Sequence, residues 1–209
     1  MRKNTGQNTG LLAPLGIAAA AVACGLAGGM AAQPAGAASV PVQVASLSER
    51  ARQLAIKREL DSAETLLRRR LESLPVGNQI VMVREDERLT LRIPARELFE
   101  PDSAQLKDLR VQALPLAAVS EVLRRRYRLA AQINVYTDGI GGQDANRGLS
   151  QQRALALLAL LHAASVRPAR VAGGGQGSSA ELAGDDTPEG RDQNRRVEVV
   201  FWLPQPGFP

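Results

Sequence analysis

The stretch VYTDGIGGQDANRGLSQQRALALL, from Val135 to Leu158, joins a turn rich in glycine and polar residues to a helix that becomes almost wholly apolar. The residues AQINVYT that lead into it have the composition of a β-strand, so Asp138 lies where that strand ends. In open α/β sheets, ligands bind beyond the carboxyl ends of strands, where helix N-termini point into a crevice. We therefore expect a binding site at this junction.

The helix after the turn is predicted from Asn146, a favoured N-cap residue, to Ala164. Asn146, Leu149, Ser150 and Arg153 follow the spacing i, i+3, i+4, i+7 and therefore share one helical face. This spacing predicts that the Asp138 carboxylate and the Arg153 guanidinium lie on one rim. Such a pair suits a zwitterionic group, whose ammonium binds the aspartate and whose carboxylate binds the arginine. A purely structural ion pair is the alternative.

The sequence around this junction predicts an α/β sandwich (α+β) in which helices cover one face of a sheet. Strands are predicted at residues 80–83, 89–93, 131–137, 169–175 and 195–203. If the first two strands are counted together as one hairpin, strands and helices alternate in the order β-α-β-α-β-α-β. A helix is predicted from Ser103 to Tyr127, and Pro115 would kink or split it. A helical turn is predicted at residues 187–194. Residues 173–189 are expected to form a mobile loop.

A separate helix is predicted from Ser46 to Leu74, in which Leu60, Leu67 and Leu74 recur every seven residues. Three interpretations stay open: a helical linker, a helix packed on the following domain, or a short coiled coil that forms a homodimer or meets a partner protein. The predicted division of the chain is residues 1–37, 38–78 and 79–204.

The first 37 residues have the features of an export segment. Arg2 and Lys3 precede an uncharged apolar run that begins at Leu11, and residues 35–37 offer a signal peptidase site. Cys24, the only cysteine, offers a lipoprotein processing site instead, and an uncleaved membrane anchor is the third interpretation. All three deliver the rest of the chain across a membrane, so the cell-envelope membrane is an expected partner.

Charge and composition exclude several functions. The net charge of +5 and the pI of about 10.1 would favour nucleic acid, but no series of aromatic residues alternates with the arginine triplets at 68–70 and 124–126, as a stacking platform would require. We interpret the triplets as solvated helix faces and expect no nucleic-acid partner. His162, the only histidine, is expected to be packed or half-exposed in its helix. We expect neither a metal, a cofactor nor a catalytic site. The glycines at 173–177 lack the Gly-Lys-Ser/Thr ending of a phosphate loop.

Four motifs in this sequence resemble those of the OmpA C-terminal-like family. They are TDGIGG, NRGLSQQRALAL, LFEPDSAQL at residues 98–106 and NRRVEVVF from Asn194, and the resemblance covers residues 80–203. It implies a domain that binds the peptide stem of peptidoglycan non-covalently, with Asp138 and Arg153 holding diaminopimelate. By the same resemblance the pocket is completed by Thr137, Asn146, Leu149, Asp102 and either Arg195 or Arg196, of which Arg196 is preferred. The implied location is the periplasm or outer membrane of a Gram-negative-type envelope.

The chain departs from the family pattern at two places. Leu157 stands where the family usually has valine, and the segment GGGQGSS lacks the usual aromatic residue and glutamate.

The function that the resemblance implies is tethering of the envelope, or of a periplasmic assembly, to the wall. The alternative is a stator-like or secretion-system subunit anchored by an uncleaved helix. Residues 11–32 contain no ionisable carboxylate, which disfavours an ion-driven motor role.

Overall fold

The computed structural model describes residues 40–107 and 114–205. For residues 40–46 and Leu114 it describes the backbone only. The expectations for the export segment and for lipidation at Cys24 lie outside the described residues. Among the helices of the described part, none is long and apolar enough to cross a membrane.

Five strands form one mixed sheet. They are β1 (Val81–Arg84), β2 (Arg88–Pro94), β3 (Ala130–Tyr136), β4 (Val171–Gly177) and β5 (Arg196–Trp202). Their spatial order is β1-β2-β5-β3-β4, with β3 and β4 parallel and every other pair antiparallel. All five strands were predicted from the sequence, and the mixed α/β fold class is confirmed. Side chains alternate as expected: Leu89, Leu91 and Ile93 are buried, whereas Arg88 is exposed.

The helices are α1 (Val40–Leu71), α2 (Leu114–Arg125), α3 (Gln143–Ala163) and α4 (Pro188–Asn194). Apolar residues of α1, α2 and α3 join those of the sheet in a single, mainly aliphatic core. Three short 3-10 segments connect the elements, at Gly77–Gln79, Ala95–Glu97 and Pro168–Arg170.

Helix α1 packs on the sheet and on α2. Leu60 and Leu67, two of the heptad leucines, are fully buried in this core, and Arg70 forms a 2.6 Å ion pair with Glu121 of α2. Of the three interpretations of this helix, the structure shows packing on the following domain. Because the buried leucines contact this chain's own core, the same side chains are not available to a coiled coil.

The structure corrects the predicted helix from Ser103 to Tyr127. Residues 103–107 belong to a loop, which is closed by a bridge between Phe99 and Leu106. Helix α2 is described from Leu114 to Arg125, so Pro115 lies at the N-terminal edge of its described part. Residues 116–125 follow it as one continuous helix, so the proline does not split the described part of α2.

The prediction for the glycine-rich segment at residues 173–177 is also corrected. Residues 173–175 were predicted both as the end of a strand and as the start of a mobile loop, and residues 176–177 as loop alone, but all five belong to β4. A Cβ atom at Gly175 would lie 2.1 Å from the Gln151 nitrogen, and one at Gly173 would lie 2.7 Å from the Ile133 oxygen. The glycines therefore allow α3 and β3 to approach β4 more closely than side chains would permit.

Candidate ligand-binding cleft

A cleft with a volume of about 750 Å³ opens where β3 ends. Its walls come from the turn after β3, the first turns of α3, the segment that follows β2 and the residues just before β5. The cleft brings together six of the seven predicted binding residues: Thr137, Asp138, Asn146, Leu149, Arg153 and Asp102. It lies at the carboxyl end of β3, as expected for this class of sheet.

Arg153 is only 5% exposed, although it carries a charge. Its Nε donates a 2.7 Å hydrogen bond to the Ser103 carbonyl, and its guanidinium carbon lies 5.0 Å from the centre of the Phe99 ring. Burial lowers the pKa of Arg153 overall; the charge of Asp102, and less that of Asp138, partly opposes this, while the charge of Arg195 adds to it. An arginine in this setting remains protonated.

The terminal nitrogens of Arg153 are left for a ligand. Among the described residues, no hydrogen-bond acceptor is found for either of them, and neither belongs to the buried atoms that lack a partner. They are therefore accessible from the cleft that Arg153 lines. A guanidinium held by its Nε and by an aromatic ring presents its two outer nitrogens in a fixed orientation, which suits a carboxylate.

Asp138 is paired with Arg195 and not with Arg153. Its Oδ2 accepts a hydrogen bond from Nη1 of Arg195, while Oδ1 accepts one of 3.3 Å from the Ile140 amide. Within the part of the chain that the structure describes, no ion pair joins Asp138 to Arg153. The two residues share a cleft without neutralising each other, so the alternative of a structural ion pair between them is wrong.

Arg195 lies in the cleft, and the preferred candidate Arg196 does not. Burial alone would lower the pKa of Arg195, but hydrogen bonds to Asp138 and Asp192 raise it overall. Arg196 is the first residue of β5 and is 4% exposed; it donates a 2.9 Å hydrogen bond to the Ala180 carbonyl and lies over the Tyr136 ring. Consecutive residues at a strand start face different sides, which separates the two arginines.

Asn146 holds the turn after β3 instead of capping α3. Its Nδ2 donates to the carbonyls of Asp138 at 3.0 Å and Ile140 at 2.9 Å. The predicted N-cap role is wrong, because α3 begins earlier and its N-cap is Gly142, at a φ of 86° that favours glycine. Asn146 thus fixes the backbone that carries the Asp138 carboxylate.

The other predicted residues occupy the walls of the cleft. Asp102 lies in the exposed loop between Phe99 and Leu106 with a φ of 49°, and Leu149 is half-buried. The Thr137 amide donates to the Gly177 carbonyl at 2.9 Å, but its hydroxyl oxygen is buried without a partner among the described residues. Thr137 therefore positions the turn through its backbone.

Two residues without a predicted role, Asp185 and Asn194, support the turn that carries Asp138 from outside the cleft. The Asp185 carboxylate accepts hydrogen bonds from the Gly139 amide and from Asn194 Nδ2, the latter at 2.9 Å. Asn194 is fully buried, and its Oδ1 accepts from the Leu182 amide at 2.7 Å. These contacts tie the loop after β4 to the turn that carries Asp138. The only signal in the sequence was the position of Asn194 at the start of the NRRVEVVF motif.

Thr187→Ala is expected to lower the free energy of unfolding by about 1 kcal/mol. Thr187 is the N-cap of α4, and its Oγ1 accepts a 3.1 Å hydrogen bond from the Gly190 amide. Thr187→Ser keeps this acceptor and should retain most of the stability in urea unfolding of the full chain. Equal losses in the serine and alanine variants would contradict the capping role.

Across residues 40–107 and 114–205, no group of three histidine, cysteine, aspartate or glutamate side chains is placed to hold a metal ion. His162 is solvent-exposed in the last turn of α3 and does not line the cleft, so of the two expected settings, packed and half-exposed, the packed one is excluded.

Comparison with known sequences shows which family this part of the chain matches. The OmpA family profile matches residues 98–195. The "Probable lipoprotein YiaD" of Escherichia coli is 34% identical over 142 residues, which cover 68% of this chain and 62% of that protein. The chain thus spans less than two thirds of that relative. The "Peptidoglycan-binding protein ArfA" of Mycobacterium tuberculosis is 46% identical over 68 residues, 32% of this chain and 21% of that protein.

Solved structures have the same fold. A MotB like protein from Desulfovibrio vulgaris superposes with a TM-score of 0.64 at 25% identity, covering 73% of this chain and 99% of that one. The cell wall anchor of the T6SS from Pseudomonas aeruginosa gives a TM-score of 0.57 at 27% identity, covering 66% of this chain and 97% of that one. The resemblance predicted from the four motifs is therefore confirmed, and residues 98–195 of this chain form a domain of the OmpA family.

Proposed function

We propose that the cleft binds peptidoglycan non-covalently through the diaminopimelate of its stem peptide, and that the protein thereby tethers the cell envelope, or a periplasmic assembly, to the wall. The observation that carries this proposal is the buried Arg153, whose two outer nitrogens remain available beside the Asp138 carboxylate. Two relatives support it by name, since one is a peptidoglycan-binding protein and another is a cell wall anchor.

The chemistry of the two residues matches the two ends of an amino acid. Arg153 binds the carboxylate with both outer nitrogens, and the partial exclusion of water from its surroundings strengthens that contact. The Asp138 carboxylate binds the ammonium through Oδ1, whose contact with the Ile140 amide is long at 3.3 Å. Arg195 balances the charge of Asp138 through their ion pair.

We also propose that the protein binds the wall without cleaving it. Among the described residues that line the cleft there is no serine, cysteine or histidine. The carboxylates of Asp138 and Asp192 both form ion pairs with Arg195, so each is already engaged by a neighbouring side chain. The groups in the cleft therefore support recognition rather than catalysis.

The proposed location is the periplasm or outer membrane of a Gram-negative-type envelope. An export segment at residues 1–37 would deliver the domain there by any of its three processing routes. The Escherichia coli relative is named a probable lipoprotein, and Cys24 would be the acylated residue if this chain is processed in the same way.

The full chain is expected to sediment with diaminopimelate-type sacculi and to release no soluble muropeptides from them. Asp138→Asn removes the charge that binds the ammonium, and we expect it to weaken binding roughly tenfold, or about 1.4 kcal/mol. Asp144→Asn is the matched control, because Asp144 is exposed in the first turn of α3 and does not line the cleft. Muropeptide release would disprove the non-enzymatic role. Equal losses in the two variants would disprove the role of Asp138.

A further inference from the structure

Six arginines cluster at the end of the sheet opposite the cleft. Four of them lie in the RRRYR segment that leads from α2 into β3, and two lie in the RPAR segment that leads into β4. Because β3 and β4 are parallel, both segments meet at the amino ends of these strands. We call this cluster the arginine patch; its members are Arg124, Arg125, Arg126, Arg128, Arg167 and Arg170.

Few acidic groups neutralise the arginine patch. Glu121 pairs with Arg125 at 2.9 Å and Glu59 lies 3.9 Å from Arg128, and these are the ion pairs found for the patch among the described residues. Arg124 and Arg167 are exposed and make no ion pair within the same part of the chain. The patch therefore keeps most of its positive charge and accounts for much of the chain's net charge of +5.

Arg170 holds the patch together. Its Nε donates a 2.8 Å hydrogen bond to the Leu129 carbonyl, and its Nη2 donates one of 2.6 Å to the Arg126 carbonyl. Burial lowers the pKa of Arg170, and the nearby charge of Arg167 lowers it further. These contacts join the RPAR segment to the RRRYR segment, so the like charges are kept together by the fold.

The patch also contains an exposed aromatic residue. Tyr127 lies between Arg126 and Arg128 and is 76% exposed. Tyrosine is enriched where proteins meet the headgroup region of a membrane, because its ring is apolar and its hydroxyl is polar. Arginines around such a ring are typical of surfaces that bind anionic lipids.

The N-terminal end of α1 lies towards the same end of the sheet. Glu59 lies beside Arg128, beyond the end of α2, whereas Arg70 pairs with Glu121 inside α2, so the two helices are antiparallel. Arg52 lies 3.6 Å from Glu87 in the β1–β2 turn, at the patch end of the sheet. The first turns of α1 therefore lie towards this end.

We infer that the arginine patch is a membrane-contact surface that binds the headgroups of anionic phospholipids. The cleft and the patch lie at opposite ends of β3, a strand of seven residues that spans roughly 20 Å. A domain held in this orientation presents the cleft away from the bilayer. The acidic turn at residues 85–87 lies at the patch end but on the far edge of the sheet, beside Arg84 and Arg88.

The test compares binding of the full chain to two kinds of vesicle at low salt. One kind is phosphatidylcholine alone, and the other contains roughly 30% phosphatidylglycerol. The ratio of the two partition coefficients is the readout, and the N-terminal segment is the same in every variant. The wild-type chain is expected to prefer the anionic vesicles by roughly thirtyfold or more, and about 0.5 M salt should remove most of this preference.

The decisive variants carry two substitutions each. Arg124→Gln with Arg167→Gln is expected to lower the preference about five- to twentyfold. Arg69→Gln with Arg147→Gln is the matched control, since both arginines are exposed, lie outside the patch and lose the same charge. A control that loses as much as the patch variant, or a wild-type preference below about twofold, would overturn the inference.

Two further measurements separate this inference from others. Sacculus binding should be the same in the patch variant and the wild type, because the patch lies away from the cleft. If the wild-type chain does not bind sacculi, the proposed function of the cleft is contradicted, but the inference about the patch is not. Binding to a DNA duplex that depends on Arg124 and Arg167 as strongly as vesicle binding does would indicate a general polyanion surface and would overturn the assignment to a membrane.

Discussion

Arg153→Ala is expected to weaken binding to diaminopimelate-type sacculi by roughly ten- to more than a hundredfold, because it removes a charge-assisted pair of hydrogen bonds worth about 1.5 to 3 kcal/mol. The side chain is 5% exposed, and its Nε and the Phe99 ring fix its orientation before a ligand arrives. A pre-oriented group loses little entropy on binding, so most of its interaction energy contributes to affinity.

Arg153→Lys is the stricter variant. Lysine keeps the positive charge but cannot present two parallel donors to a carboxylate, and it lacks the Nε that bonds to Ser103. We expect its affinity to stay within about threefold of that of the alanine variant. Arg147→Ala is the matched control, because Arg147 is exposed on the same helix, and it should bind sacculi like the wild type.

The ligand offers an independent control for Arg153. Sacculi that carry lysine in place of diaminopimelate lack the second carboxylate and keep the ammonium. The wild-type chain should bind these sacculi about as weakly as Arg153→Ala binds the diaminopimelate type. Urea unfolding of each variant corrects for stability, since loss of the Ser103 hydrogen bond should cost about 1 kcal/mol. Equal wild-type affinity for both kinds of sacculi would refute the role of Arg153.

The strands could be predicted from the sequence because alternation and strand-forming residues are local signals. The errors arose where distant contacts determine the structure. The glycines of β4 have the composition of a loop, yet Gly175 is required by the close approach of α3, which no local pattern shows. Residues 103–107 were predicted as the start of a helix, but pairing of Phe99 with Leu106 holds them in another conformation.

The candidate site could be predicted only where local sequence patterns determine it. Helical spacing placed Arg153 and Asn146 on one face, and the strand end placed Asp138 opposite them; all three line the cleft. The choice between Arg195 and Arg196 depended on where β5 begins, and a shift of one residue exchanges the two sides of a strand. Asp185 reaches Gly139 from 46 positions away, so local sequence patterns give no sign of that contact.

Leu60→Ala and Leu67→Ala are each expected to lower the free energy of unfolding by about 2 to 5 kcal/mol, because both leucines are fully buried and alanine would leave a cavity. These variants test whether α1 is a structural part of the domain or a linker. A linker helix could lose its leucines without any effect on the unfolding of the sheet. The measurement is urea unfolding of the full chain, followed through Trp202 at the end of β5.

Leu54→Ala is the matched control for these core variants. Leu54 lies on the same helix but is 58% exposed, so its truncation should change stability by less than about 0.5 kcal/mol. Trp202 reports on a strand that is remote in sequence from α1, and a large effect of Leu67→Ala on its transition therefore requires α1 and the sheet to unfold together. Losses no greater than that of Leu54→Ala would show that the domain folds without α1, despite the buried interface between them.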